Sequence, residues 1–291
     1  MLRAAAVVVA SCTALAACER VPVPGGAEAV FRNGSDVGEL RGADMREASG
    51  LVASLRHPGH FWLHNDSGNE PELNLLDSSG AAVMRLRIEG VRNRDWEDLG
   101  RRGDTLFIAE MGDNQAEWDT VYVHAVVEPA VIAESATATP RTFPFRYPDG
   151  PRDAETLLVD PETGDWFIVT KREERSLLYR YPAAQRAPQV VTLERLPTTF
   201  GFRMAVGGDV SPDGREVLVK TYDAIYLWQR RAGESLAATL SRAPSPQPYT
   251  PERQGEAIAF ALDGSAYFTT SEVELDVPQL LLRYERRTPQ R

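Results

Sequence analysis

Cysteine is nearly missing from this 291-residue chain, which has only Cys12 and Cys18, both close to its start. Anything folded after them has no disulfide and no thiol nucleophile, so its stability must come from apolar burial, which a domain of about 260 residues can supply. Lysine is almost as scarce: Lys171 and Lys220 are the only two, and the other basic residues are arginine. Positive charge is outnumbered as well, 32 Lys and Arg against 42 Asp and Glu, for a formal net charge of −10. That balance argues against nucleic acid or an anionic lipid surface as a partner. No stretch has the 3.6-residue apolar period of a long amphipathic helix. There is no G-x-S-x-G elbow and no glycine loop of the phosphate-cradling kind. His57, His60 and His64 are spaced as zinc ligands on a helix would be, but Pro58-Gly59 breaks any such helix, so zinc is not expected.

What the chain does have is a repeat. An acidic or polar residue, an apolar run, a Gly-bearing turn and a second apolar or aromatic run recur five times. The openings are Glu47-Ala48-Ser49-Gly50-Leu51, Asp95-Trp96-Glu97-Asp98-Leu99, Asp153-Ala154-Glu155-Thr156-Leu157, Gly207-Gly208-Asp209-Val210 and Gln254-Gly255-Glu256-Ala257-Ile258. Aligned, one column reads Ser49, Glu97, Glu155, Asp209, Glu256, at spacings of 48, 58, 54 and 47 residues. Units of about 50 residues with Asp/Gly/Pro turns and β-branched or aromatic strands predict an all-β propeller. Third strands are read at 73–76, 121–123, 177–179, 225–228 and 280–282. The last unit is a strand short, and the segment from Ala29 to Leu40 is the candidate to complete it. Five blades follow, with six as the alternative count. The Ala/Thr-rich run from Ala130 to Pro140 and the Pro-rich runs at Pro182–Pro188 and Pro244–Pro251 read as loops or irregular outer edges.

Residues 1–17 have the charged start and short apolar stretch of a secretory signal, about 14 residues against the roughly 20 needed to span a bilayer. Leu15-Ala16-Ala17-Cys18 fits a lipobox, with Cys18 lipidated and residues 18–28 as a flexible tether to a single domain over 29–291. Simple secretion, with cleavage after Ala14-Leu15-Ala16, is the alternative. Either way the domain is expected outside the cytoplasm, as a monomer whose membrane contact is through the anchor only.

In a propeller blade the first strand lines the channel, and the end of the second strand returns to the face where the first begins. The acidic column and the second-strand ends are therefore expected at one channel mouth. Carboxylates gathered there raise each other's pKa and require a positive partner. That partner is a cation held by Glu97, Glu155, Asp209 and Glu256 with help from Asp66 or Asp113, for which Ca²⁺ suits an all-oxygen set; the alternative is ion pairing to Lys171, Lys220 or arginines such as Arg94, Arg152 and Arg203. Asn65, Asp66, Asp113 and Asn114 are read as ligand-binding loop residues, or as turn-closing ones. Trp96, between two acids, is a candidate aromatic face, whereas Trp62, Trp166 and Trp228 read as packing residues.

The series His64-Asn65-Asp66-Ser67-Gly68, Asp95-Trp96-Glu97-Asp98, Gly112-Asp113-Asn114, Asp153-Ala154-Glu155, Thr170-Lys171, Gly208-Asp209-Val210 and Gly255-Glu256-Ala257 resembles secreted bacterial β-propeller proteins over nearly the whole chain. The recurring acidic opening is also similar to that of calcium-dependent propeller phytases and their esterase-like relatives. That resemblance implies Ca²⁺ on carboxylates at the mouth, with Lys171 and Lys220 as the basic contacts to phosphate. Two functions are expected on this basis. One is a propeller that binds a ligand or an envelope protein at its acidic mouth. The other is a metal-assisted hydrolase of a phosphoester or lactone, with Glu155 or Glu256 activating water and Lys171 and Lys220 stabilising negative charge.

Overall fold

The computed structural model describes residues 29–273 and 277–288; the expected leader, Cys18 and the tether lie outside the described residues. In chain order, β1 (Ser35–Glu39) is followed by the first blade, β2 (Ala48–Ala53), β3 (Phe61–Asn65), β4 (Glu72–Leu76) and β5 (Ala82–Ile88). The second blade takes β6 (Trp96–Arg102), β7 (Thr105–Glu110) and β8 (Val121–Val127). After it β9 (Ser135–Ala138) returns to the first blade, and β10 (Arg141–Arg146) completes the second. The third blade is β11 (Ala154–Val159), β12 (Trp166–Thr170), β13 (Leu177–Tyr181) and, after the short β14 (Val191–Thr192), β15 (Glu194–Thr199). The fourth is β16 (Ala205–Val210), β17 (Glu216–Thr221), β18 (Ile225–Gln229) and β19 (Ser245–Gln247), with one helical turn, Leu236–Leu240, before its last strand. The fifth is β20 (Ala257–Phe260), β21 (Ala266–Thr270) and β22 (Leu280–Glu285), onto which β1 pairs antiparallel.

Five sheets therefore form the ring, and five is the blade number; the six-blade alternative is set aside. The inner strands β2, β6, β11, β16 and β20 contact each other in cyclic order. Closure joins the two ends of the sequence: β1 supplies the strand the last repeat lacks, in register from Ser35 opposite Arg283 to Glu39 opposite Leu280.

The five apolar clusters of the core each lie between two neighbouring blades. Side chains alternate across a strand, so in β12 Trp166 and Ile168 face the second blade while Phe167 and Val169 face the fourth. Both faces are buried, which is why these strands are apolar throughout. Of the two readings of the Ala130–Pro140 run, loop or irregular outer edge, the outer edge holds: β9 within it pairs parallel to β5, and β14 likewise pairs parallel to β10. Each is a short strap from a following connection onto the outer edge of a preceding blade. Ser135 and Thr137 lack the β-branched apolar run that marks the other strands, so nothing local announced the pairing.

Candidate functional site

Four of the five inner strands begin with an irregularity. Pairing shifts between Ala48 and Leu51, between Trp96 and Asp98, between Ala154 and Thr156, and between Ala205 and Gly207. A bulge leaves a residue out of the ladder and re-aims its side chain. The residues so released include Ser49, Glu97, Glu155 and Val206, and Glu256 stands at the matching place just before β20. Ser49 donates its hydroxyl to the Glu97 carbonyl at 2.5 Å, stitching the first two blades. Glu97, Glu155 and Glu256, all buried, bring carboxylate oxygens from three blades within 4.8 Å of one another. Asp66 and Asp95 form a second such group with Glu97, and Asp66 and Glu272 a third with Glu256.

One ammonium stands among these acids. Lys171 donates to Glu155 and lies 3.9 Å from Glu256. Tyr222 donates to Glu256 at 2.6 Å, and Lys171 lies 5.3 Å from its ring centroid. At the rim Arg172 pairs with Asp153 at 2.5 Å. Burial, then the mutual field of the carboxylates, sets the protonation of the cluster. For five of these acids burial is the first cause: it pushes Asp66 and Glu272 up to about 7 and Asp95 up to about 6, and it holds Glu97 and Glu155 well above the carboxylate range. Burial acts to lower Lys171, but the charges of Glu155 and Glu256 overcome it and leave the amine raised.

The donor set is oxygen only, which selects hard cations such as Ca²⁺, Mg²⁺ or Mn²⁺ over zinc or copper. Two observations bear on the fit. Glu155 Oε2 and Glu256 Oε2 are buried without a hydrogen-bond partner, which is costly for a carboxylate unless another group engages it. Gly112 is the second: a Cβ there would overlap Glu97 Oε1 and the Asp95 carboxylate, so the glycine keeps room for both acids. These residues fit a divalent ion.

Several expected site residues are placed elsewhere. Asp209 does not share the column of Glu97, Glu155 and Glu256. The strand register gives that place to Val206, and Asp209 lies three residues further along β16, where its carboxylate accepts N–H bonds from Val210 and Phe260, each at 2.8 Å. Matching the two Asp-Gly turns alone gives the same alignment, since Val206 and Glu256 each lie eight residues before Gly214 and Gly264, whereas Glu97 and Glu155 lie six and nine before Gly103 and Gly164. Lys220 also misses the mouth. Opposite Gly207 inside β17, it faces the fifth blade, fully buried, donating to the Gly255 carbonyl and to Tyr249 Oη at 3.1 Å, with Glu252 at 3.8 Å. Burial lowers this amine to about 8. The residue that matches Lys171 in register is Tyr222, which sequence reasoning missed.

Trp96 presents no face to a ligand: it is fully buried and its indole donates to Glu110 at 3.3 Å. Asp113 closes a turn, accepting from the amides of Glu117 (3.0 Å) and Trp118 (2.7 Å). Asn114 accepts from Arg172, and Asn65 donates to the Asp44 carbonyl at 2.8 Å. Of the loop residues expected to bind ligand, Asp66 is the one within the carboxylate cluster. Of the expected arginines, Arg94 lies over the Trp118 ring, at 3.6 Å, where its charge acts to lower Asp95, and Arg152 pairs with Asp149 and Glu173.

No family model matches the chain, and no curated protein does. Solved structures similar to it include hydrazine synthase of Kuenenia stuttgartiensis, 7% identical, TM-score 0.43, covering 84% of each chain. Another is the WD40 repeats of RRP9, 9% identical, TM-score 0.44, covering 88% of this chain and 100% of that one. The propeller assignment stands on the five-sheet topology of the chain itself.

Proposed function

We propose that this chain is a binding propeller that holds a divalent cation, Ca²⁺ by the chemistry of its donors, at the acidic mouth, and through that cation a ligand with oxygen donors. The convergence of Glu97, Glu155 and Glu256 from three blades, two of them with a buried unpartnered oxygen, carries the reading. Without an ion the raised acids keep protons, and Lys171 alone does not balance the six once they ionise. The bound ion supplies the missing positive charge and leaves coordination positions for a ligand. Asp66, Asp95 and Glu272 surround the entrance and attract further cationic groups. The signal and lipobox pattern ending at Cys18 supports placing this mouth outside the cytoplasm on a lipid tether.

A second reading, metal-assisted hydrolysis of a phosphoester or lactone, is favoured by one observation. Lys171 sits against Glu155 and near Glu256, so a positive group able to receive developing negative charge adjoins two candidate bases for water. Asp209 and Lys220 have no part in either reading.

Calorimetric titration of Ca²⁺ and Mg²⁺ into EDTA-treated protein, with thermal shifts, tests the binding. Heat of binding and a raised melting temperature are expected, amounting to about 2.7 kcal/mol of stabilisation at a hundredfold excess over Kd. Both should be lost in Glu155→Gln and Glu256→Gln. A melting curve indifferent to both ions would defeat the proposal. Turnover of phosphoester or lactone substrates that needs the ion and Lys171 would decide for the hydrolase.

A further inference from the structure

A second constellation lies on the second blade, outside the carboxylate cluster. Thr142 on β10 stands directly opposite His124 on β8, and Glu110 at the end of β7 is their diagonal neighbour on the same face. His124 Nδ1 is 2.9 Å from Thr142 Oγ1, and Nε2 is 3.1 Å from Glu110 Oε2. Glu110 is fixed in turn by the Trp96 indole at 3.3 Å and the Arg94 guanidinium at 3.5 Å. A carboxylate oxygen accepts in this contact, so Nε2 is assigned the ring proton. In the neutral ring Nδ1 is then the acceptor, and the Thr142 hydroxyl donates to it. Hydroxyl, imidazole and carboxylate are thus arranged as nucleophile, base and orienting acid.

The three residues line a cleft of about 610 Å³, together with the Gly90 to Arg94 connection and Tyr122. That volume suits a small ligand. The cleft differs in sign from the channel mouth, because Arg92 and Arg94 line it. Trp118 and Tyr122 hold the Arg94 guanidinium, 3.6 and 5.4 Å from their ring centroids.

We propose that Glu110, His124 and Thr142 form an acyl-transfer site for small esters whose acyl part carries a negative charge. Thr142 Oγ1 attacks the ester carbonyl carbon and its proton passes to His124 Nδ1, while the carbonyl π pair moves onto oxygen, towards the cleft arginines. Collapse expels the alcohol, which leaves with the proton from His124. Water then attacks the acyl-threonine by the same route, restoring the hydroxyl and releasing the acid. Glu110 is a positioning residue: it fixes the tautomer and stabilises the imidazolium. Nothing in this sequence uses the carboxylate cluster, so the site works without a divalent ion.

The test uses p-nitrophenyl acetate and mono-p-nitrophenyl succinate with full-length protein in EDTA. Turnover is expected with both, at least tenfold better kcat/KM for the succinate, and an acyl adduct on the Thr142 peptide by mass spectrometry. Thr142→Val and His124→Gln should each lose about 10²-fold or more. Thr142→Ser should retain activity, and Arg92→Gln should lose the preference for succinate. Glu110→Gln should move the acid limb of the pH–rate profile to lower pH, which a packing role would not do. Turnover read in EDTA needs no divalent ion and cation binding is read by calorimetry, so this idea and the cation proposal fail independently. Equal turnover in unaltered protein and a Thr142→Val variant with the same melting temperature, or an adduct elsewhere in the chain, would overturn the assignment.

Discussion

Single buried charges carry the sharpest expectations. Burial raises Asp209 from the ordinary aspartate value of about 4 to about 7, so between about pH 4 and 7 the folded chain keeps a proton that the unfolded chain has released. A raised carboxylate makes its contribution to stability at low pH and loses it as pH climbs through the folded value. Asp66, Asp95 and Glu272 share that sign. Urea midpoints measured without divalent ions should therefore fall from pH 4 to 7, and Asp209→Asn should make that fall shallower. An unchanged slope would mean Asp209 is ionised throughout. Lys171 is the complementary case, the one ammonium between Glu155 and Glu256. Lys171→Met leaves buried carboxylates without their partner and should cost about 3–5 kcal/mol in EDTA. Added Ca²⁺ should recover part of that loss, as read by urea unfolding with and without the ion.

At the scale of the strand, the inner-strand bulges decide what reaches the channel. They turn Glu97 and Glu155 out of the ladder, and in β16 the same bulge presents Val206, so the fourth blade contributes no acid to the cluster. The motif reading placed Asp209 there because Gly207-Gly208-Asp209 imitates the other openings. The pairing instead puts Asp209 three places along the strand from Val206, and register errors of that kind cannot be seen in composition. Gly207 has a packing reason of its own: a Cβ would stand 2.5 Å from the Glu256 carbonyl oxygen, a backbone atom of the next inner strand. Gly207→Ala should cost about 1–3 kcal/mol through that overlap, seen in a lowered urea midpoint. It should also weaken cation binding, because Glu256 is the residue displaced.

The whole molecule depends on closing a ring whose last sheet is made from both ends of the sequence. Phe31 lies before β1 and outside any named strand, yet it is fully buried against Tyr267, with ring centroids 4.8 Å apart, in the cluster between the fourth and fifth blades. Its bridge to Arg286 and the β1 ladder fasten the N-terminal segment to the last blade. Phe31→Ala should therefore destabilise by about 3–5 kcal/mol, as a core deletion does, and not by the few tenths of an exposed terminal residue. Chemical denaturation monitored at the buried tryptophans would measure it. A loss under 1 kcal/mol would mean the ring closes without this anchor.

The sequence by itself determined the all-β class, the five units, the strand that completes the last one and the gathering of Glu97, Glu155, Glu256 and Asp66, because each is written in local pattern: apolar runs, turn residues and acids at a repeating position. Only the tertiary structure decided that Tyr222 rather than Lys220 faces the cluster, that Asp209 and Trp96 are packed away from it, that β9 and β14 strap neighbouring blades, and that Thr142, His124 and Glu110 meet across three strands. Those outcomes turn on register, on bulges and on pairing between residues distant in the chain. A shift of one residue along a strand sends a side chain to the opposite face, so a pattern that names the strand does not say where each side chain points.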